Sequence, residues 1–181
     1  MEIVQLYKSY LSGRRDFSGV DFRETWMPGS RIDQAILKQA DLTGSNFSHS
    51  SLQEVDLSGA MLWRTNLRHA KLRNAALERA ILIRCCLKGS DLSGSCLSGA
   101  DLRLADLRQV NMEGVEMIGT LLCYADLSGA NLCNVDLRSA DLTGAIFKDA
   151  VMTGCRLTKL QLANLNLSTV SRLDSEATLA M

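Results

Sequence analysis

One column of large apolar residues constrains this chain more than any other feature. Every fifth residue from Phe17 to Leu167 is large and apolar, and these thirty-one positions hold twenty-two Leu, four Phe, four Met and one Ile. An α-helix returns to the same face every 3.6 residues and a strand every two residues, so neither element produces a period of five. The chain must therefore fold as a tandem repeat with a five-residue unit.

The other positions of the unit are also restricted. If the large residue is called the centre, the residue two positions before it, from Val20 to Cys155, is always Ala, Ser, Thr, Val or Cys. Asp or Asn is the commonest residue one position before the centre, as at Asp41 and Asn66. In an extended segment the centre and the residue two before it point to the same side. We therefore expect the large and small residues to point inward together.

A turn must follow each centre. The position two after the centre holds twelve of the thirteen glycines, but also charged residues such as Glu24 and Arg64, which do not belong in a dry core. The segment Met27-Pro28-Gly29-Ser30 has the proline and glycine of a type II turn. A bend every five residues coils the chain, and successive coils are expected to pair as parallel strands about 4.8 Å apart.

These residues resemble the pentapeptide-repeat family, whose motif is A(D/N)LXX. The resemblance covers roughly residues 15–169 and is clearest over residues 125–144. It implies an all-β solenoid: a right-handed parallel β-helix of square cross-section, with four pentapeptides to a coil and about eight coils. The segment before the repeat also resembles the helical lead-in of cyanobacterial members.

Short segments outside the motif flank the repeat at both ends. Residues 1–14 have apolar residues at helical spacing followed by Gly13, which predicts a short capping α-helix. The pattern weakens beyond Leu157, since Leu160 and Leu165 are large where small residues belong, so we expect a distorted last coil. Residues 170–181 form a tail or cap, and an uncovered final coil would allow a homodimer through the C-terminal end.

Bulk charge and composition limit the possible partners. The twenty acidic and twenty basic residues balance, and residues 15–169 hold seventeen of each. We therefore expect neither nucleic acid nor a membrane as partner, and no apolar run is long enough to span a bilayer. The six cysteines show no paired spacing, which favours a reduced, cytoplasmic protein.

Nothing in the sequence predicts catalysis, a cofactor or a metal site. The many Asp residues before the centres are a motif position and are expected to bond to nearby backbone. His49 and His69 would stack in adjacent coils, but the same column continues with Gly29 and Gly89, which offer no further ligand. We therefore predict a non-enzymatic protein.

Outward positions with large apolar residues are the informative departures from the motif. Folding the sequence by twenty residues places a candidate protein-interaction patch on one face: Met61, Trp63, Arg64, Ile81, Ile83, Arg84, Leu104, Leu121 and Tyr124. We expect such a cluster to exceed the apolar patch that most monomers expose, and Trp, Tyr and Arg are common in binding hot spots. The alternative is that stacked apolar side chains only stabilise neighbouring strands. A basic column on the next face, Arg68, Lys88 and Arg108, is interpreted as a solvated surface row.

The sequence therefore favours a scaffold that presents flat, rigid faces to a protein partner, and the resemblance suggests a regulatory interaction. The alternative from the family is inhibition of DNA gyrase by mimicry of duplex DNA. Mimicry needs a strongly acidic surface, which the balanced charge of residues 15–169 does not supply. An enzyme or a ligand carrier ranks third, because the predicted interior is filled by side chains.

Overall fold

Coils of twenty residues form the body of the protein. The computed structural model describes residues 3–165 and 170–172. Two helices flank the repeat, α1 (Ile3–Leu11) and α2 (Lys159–Asn164). Between them, parallel pairing joins single residues twenty positions apart, as in Asp16 with Ile36 and Ile36 with Asp56. Each coil therefore contains four pentapeptides, and one pentapeptide of each coil lies on each of four faces.

The predicted turn after each centre is confirmed. The residue three positions after the centre donates its N–H to the carbonyl of the centre, for example Ala60 to Leu57 at 3.0 Å. The residue two after the centre has a positive φ whether it is Gly59 (65°) or Tyr124 (59°). Among the described residues from Gly19 to Gly154, only Ser139 departs from this conformation at that position.

The core is a stack of the centres with the small residues in the corners. The centres of the regular coils are almost all fully buried, and burying one such side chain stabilises the fold by about 1.5–3 kcal/mol. Some small corner residues are polar, and their hydroxyls find backbone partners: Thr65 Oγ1 donates to the Leu42 carbonyl at 2.8 Å, and Ser45 Oγ donates to the same carbonyl. In the described part of the chain, no buried side-chain nitrogen or oxygen lacks a partner.

Helix α1 covers the first coil. Leu6 is completely buried against the core cluster that includes Phe17. The Tyr10 hydroxyl donates to the Asp33 carbonyl at 2.9 Å, and the Arg15 guanidinium lies 4.1 Å from the Tyr10 ring centroid. The helix thus shields the apolar end of the stack, and its nine residues lie within the predicted capping segment 1–14.

At the other end, α2 interrupts the expected repeat. The regular units stop at Leu157, whereas the sequence analysis placed pentapeptides up to residue 169. Thr158 and Gln161 form a reciprocal N-terminal cap, and the Gln161 Nε2 amide also donates to the Leu137 carbonyl at 2.8 Å. A helix replaces the turn because Leu160 is too large for a corner and Thr158 is a favourable N-cap.

The chain then returns to the solenoid. Arg172 pairs in parallel with Val151, and the Met152 N–H donates to the Arg172 carbonyl at 2.8 Å. Residues 166–169 and 173–181, which include most of the predicted tail, lie outside the described residues. The homodimer through this end stays a prediction.

Candidate functional site

The predicted patch lies on one face of the solenoid, in three columns that follow the coil axis. Parallel pairing joins Met61 to Ile81, Ile81 to Asp101, and Asp101 to Leu121, which makes these four residues one column. Because backbone hydrogen bonds link each coil to the next, as from the Arg64 N–H to the Ile83 carbonyl at 3.1 Å, the columns keep a constant register. We call this surface the apolar face, defined by the nine residues of the predicted patch.

Most side chains of the apolar face are open to solvent. Tyr124 is 64% exposed, Leu104 47% and Trp63 40%, and Met61 and Ile81 are exposed to a similar degree. Ile83 and Leu121 are half-buried between them, and Arg64 and Arg84 are exposed. The structure therefore brings all nine predicted residues together on one surface, and leaves large apolar side chains there without cover from the described part of the chain.

Trp63 and Arg64 form one unit of this surface. The Arg64 guanidinium lies 4.4 Å from the Trp63 ring centroid, a cation–π contact. The left-handed backbone of Arg64 (φ 55°) makes the turn at which this side chain leaves the coil. The contact holds the two side chains in a defined arrangement, so they lose less conformational entropy when a partner binds.

Tyr124 is positioned by a glycine in the next coil. A Cβ atom added to Gly144 would lie 2.6 Å from Cδ1 and from Cε1 of the Tyr124 ring, so the ring lies directly over the glycine backbone. The Tyr124 N–H donates to the Thr143 carbonyl at 2.9 Å and holds the main chain in place. The Tyr124 ring thus packs against the Gly144 backbone at the C-terminal end of the apolar face.

An ion pair interrupts the apolar face near its middle. Arg103 Nη2 lies 2.7 Å from Asp101 Oδ2, and its Nε also donates to the same carboxylate at 2.9 Å. At the N-terminal end of the same columns, Arg23 and Asp21 form an equivalent pair at 2.7 Å. Both of these pairs are electrically neutral.

Within the described pentapeptides, three large apolar residues outside the predicted patch are also exposed. Trp26 is 71% exposed, Ile118 69% and Ile146 50%. Trp26 and Ile146 belong to the next face along the chain and Ile118 to the face before it, as their positions in the twenty-residue coil show. Each of them is a large apolar residue in an outward position, so the sequence could have indicated its exposure. None has an apolar neighbour twenty residues away in its column, so none extends into a patch.

Two of the six cysteines are buried and four are half-buried. Burial raises the pKa of the Cys85 thiol far above its ordinary range and that of Cys155 to about 12, so both act as core residues. The Cys155 Sγ donates to the Leu132 carbonyl at 2.9 Å. On the edge of the apolar face, burial and the nearby Asp141 carboxylate raise the pKa of Cys123. All six thiols are free.

The two histidines stack as the twenty-residue coil requires. The ring centroids of His49 and His69 lie 5.0 Å apart with an interplanar angle of 27°. The His69 ring continues over Gly89, where an added Cβ would lie 2.6 Å from Nδ1. Within the described ranges, no cluster of three or more His, Cys, Asp or Glu side chains is arranged to hold a metal ion.

Several ion pairs lie on the remaining surface. In the basic column of the next face, Arg108 Nη2 lies 2.7 Å from Asp106 Oδ2, and the Arg108 guanidinium lowers the pKa of this aspartate. Arg138 lowers the pKa of Asp136 in the same way on another face.

None of the helices that the structure describes is long and apolar enough to cross a membrane.

Comparison with known proteins identifies the repeat. The family model for pentapeptide repeats matches in eight copies, in overlapping segments that together run from residue 16 to residue 171. The chain belongs to the pentapeptide repeat family. Pentapeptide repeat proteins fold as right-handed quadrilateral β-helices and are generally interaction or structural scaffolds rather than enzymes. Membership of the family indicates that the twenty-residue coils described above wind in the right-handed sense.

Several solved structures of pentapeptide repeat proteins are similar to the chain. HetL from the cyanobacterium Nostoc, a protein involved in heterocyst differentiation regulation, is 29% identical over 87% of this chain and 97% of its own, with a TM-score of 0.28. The plasmid-mediated fluoroquinolone resistance protein QnrB1 is 19% identical over 88% and 92%, with a TM-score of 0.38. A protein from the Arabidopsis thaliana thylakoid lumen is 24% identical over 71% and 70%, with a TM-score of 0.41. No curated protein matches the chain.

Proposed function

We propose that this pentapeptide repeat protein is a non-enzymatic scaffold that binds a protein partner through the apolar face. The observation that carries the proposal is the contiguous exposure of Met61, Trp63, Ile81, Leu104 and Tyr124 on four consecutive coils of one rigid surface. Large contiguous apolar patches on a protein surface typically mark interaction sites, whereas single exposed apolar residues do not. Trp and Tyr supply large contact areas with few rotatable bonds, which suits them to the centre of an interface.

The rigidity of the solenoid supports the same proposal. The interior is filled by the stacked centres, so the molecule offers a partner its outer faces. The register between coils keeps successive residues of each column of the apolar face about 4.8 Å apart before any partner binds. A pre-ordered surface loses little conformational entropy on binding. We extend the proposal to a regulatory interaction in a reducing compartment such as the cytoplasm, where the six free thiols are stable.

A capture experiment with matched variants tests the proposal. The immobilised protein is incubated with extract of the native cell, in parallel with Trp63→Ser and Trp26→Ser variants. Both tryptophans are exposed, but Trp26 lies on another face. We expect the wild type and the Trp26 variant to enrich the same proteins, and the Trp63 and Tyr124→Ser variants to lose them.

Two controls separate this function from the alternatives. If the apolar face only stabilises neighbouring coils, the Trp63 variant lowers the unfolding temperature while leaving capture unchanged, and the proposal fails. A DNA gyrase supercoiling assay addresses duplex mimicry. The paired charges at Asp106–Arg108 and Asp136–Arg138 leave no continuous acidic stripe on their faces, so we expect no inhibition. Inhibition at low protein concentration would contradict the proposal.

A further inference from the structure

Two arginines of the apolar face have no counter-charge. Arg64 and Arg84 occupy the same column in adjacent coils, and both are exposed. Neither forms an ion pair with any residue in the ranges 3–165 and 170–172. On the same face Arg103 is neutralised by Asp101 at 2.7 Å. Two positively charged side chains therefore extend from adjacent coils, whose backbones are about 4.8 Å apart, and no ion pair within the described residues neutralises them.

Apolar side chains surround these two charges. Arg64 is stacked on Trp63 at 4.4 Å, Ile83 is half-buried beside Arg84, and the column continues with the exposed side chains of Leu104 and Tyr124. A guanidinium is weakly hydrated and presents its donors in a planar fork, which matches a carboxylate in a bidentate pair. When a partner covers the neighbouring apolar surface, each guanidinium loses water and needs an anion in its place.

We propose that the partner binds the apolar face with an acidic, apolar polypeptide segment. Its carboxylates pair with Arg64 and Arg84, and its apolar side chains cover Leu104 and Tyr124. This inference rests on the proposed function and specifies the chemistry of the partner. The division of the face assigns the acidic part of the segment to the coils of Arg64 and Arg84 and its apolar part to the two coils that follow.

The same arginines are less suited to a nucleic acid. Most of the exposed surface beside them is aliphatic, from Met61, Ile81 and Leu104, and the Trp63 ring is already covered on one side by Arg64. Single strands bind to successive aromatic side chains on which bases can stack. Tyr124 lies three coils from Trp63, so the face has no such series.

Selection from a peptide library tests the inference without a known partner. A displayed library of random sixteen-residue peptides is selected on the full-length wild-type protein, and peptides that also bind the Trp63→Ser, Tyr124→Ser double variant are removed. We expect the selected peptides to combine apolar residues with two or more Asp or Glu. Thermal unfolding of each variant verifies that it is folded.

Charge variants then test the role of the arginines with the selected peptides. We expect Arg64→Glu, Arg84→Glu to weaken binding by more than about tenfold, since two attractive contacts become repulsive. Arg68→Glu is the matched control, because it makes the same Arg-to-Glu charge reversal on the neighbouring face. It should change binding by less than about twofold. Arg84→Glu alone must also weaken binding, because it leaves the Arg64 contact with Trp63 intact.

The outcomes separate failure of this inference from failure of the proposed function. Selected peptides that need Trp63 and Tyr124 but lack acidic residues, or that bind the double Glu variant equally well, overturn the inference and leave the docking face standing. A library that yields no peptide dependent on Trp63 overturns both. Binding of a fluorescent single-stranded DNA or RNA 20-mer that is lost in the Trp63 variant overturns the inference in favour of a nucleic acid.

Discussion

The residue two positions after each centre determines what each corner of the coil can present. Its backbone is left-handed at Gly114 (φ 65°) and Gly144 (φ 67°), but also at Arg64 and Tyr124. A side chain there costs about 1–2 kcal/mol of backbone strain relative to glycine. Non-glycine residues at this position therefore add a side chain to the surface at a cost in stability, which the packing of the coil stack offsets.

Substitutions at Gly144 and Gly114 distinguish the effect of backbone strain from the effect of packing against the Tyr124 ring. Both glycines have the same backbone conformation, but an added Cβ meets Tyr124 only at Gly144, and nothing within 4 Å at Gly114. We expect Gly144→Ala and Gly114→Ala each to lower the free energy of unfolding by about 1–2 kcal/mol. Only Gly144→Ala should shift the Tyr124 ring resonances in the NMR spectrum. Equal Tyr124 spectra in the two variants would show that the ring does not rest on Gly144.

At the scale of elements, helix α1 protects the end of a structure whose coils contact only their neighbours. Leu6 is the residue of α1 that is fully buried, and it joins the cluster containing Phe17 and Phe22. In a stacked repeat, stability is a sum of local terms, and an uncapped terminal coil frays first. The helix should therefore control the opening of the first coil more than that of the centre.

Leu6→Ala tests this local control, with Val4→Ala as the matched control, since Val4 is on the same helix and 61% exposed. We expect Leu6→Ala to cost about 2–5 kcal/mol in the stability of the first coil, and Val4→Ala to stay within about 0.5 kcal/mol of the wild type. Hydrogen exchange measures the effect: the Phe17 amide, which donates to the Ile36 carbonyl, should exchange faster, while the Leu92 amide is unchanged. Equal acceleration at both amides would contradict local opening.

The elements also show what the sequence could and could not predict. The buried column, the turn after each centre and the composition of the apolar face follow from which residue types tolerate each position, so they were predictable. Helix α2 was not, because Leu162 keeps the five-residue spacing while Leu160 and Thr158 favour a helix. The stacking of Arg64 on Trp63 depends on side-chain rotamers, which a positional pattern does not contain.

Across the whole molecule, recurring ion pairs make stability depend on acidic pH. Arg23 lowers the pKa of Asp21 to about 2, and the pKa values of Asp106 and Asp136 are lowered by Arg108 and Arg138. A carboxylate whose pKa is lower in the folded state than in the unfolded state stabilises the fold above its unfolded value. That contribution disappears as the pH falls through the folded value. For Asp21 the window of loss therefore lies between about pH 4 and pH 2, and for Asp106 and Asp136 the loss begins below about pH 4.

The double variant Asp106→Asn, Asp136→Asn tests this pH dependence. At pH 6 we expect its unfolding temperature to be lower than that of the wild type by roughly 1–3 °C, because exposed ion pairs contribute little each. The difference should shrink as both proteins are moved from pH 4 to pH 2, since the wild-type carboxylates then become neutral. Thermal unfolding followed by circular dichroism at each pH measures it. A difference that stays constant down to pH 2 would contradict the assignment.

The twenty-residue coil also limits how such a protein can change length during evolution. Deleting one pentapeptide between Trp63 and Tyr124 would move every later residue back by a quarter of a coil, so that the two parts of the apolar face would no longer lie on the same side of the solenoid. Inserting or deleting twenty residues would lengthen or shorten the rod and keep each face intact. Relatives that retain the apolar face should therefore differ in length by whole coils between the positions of Trp63 and Tyr124.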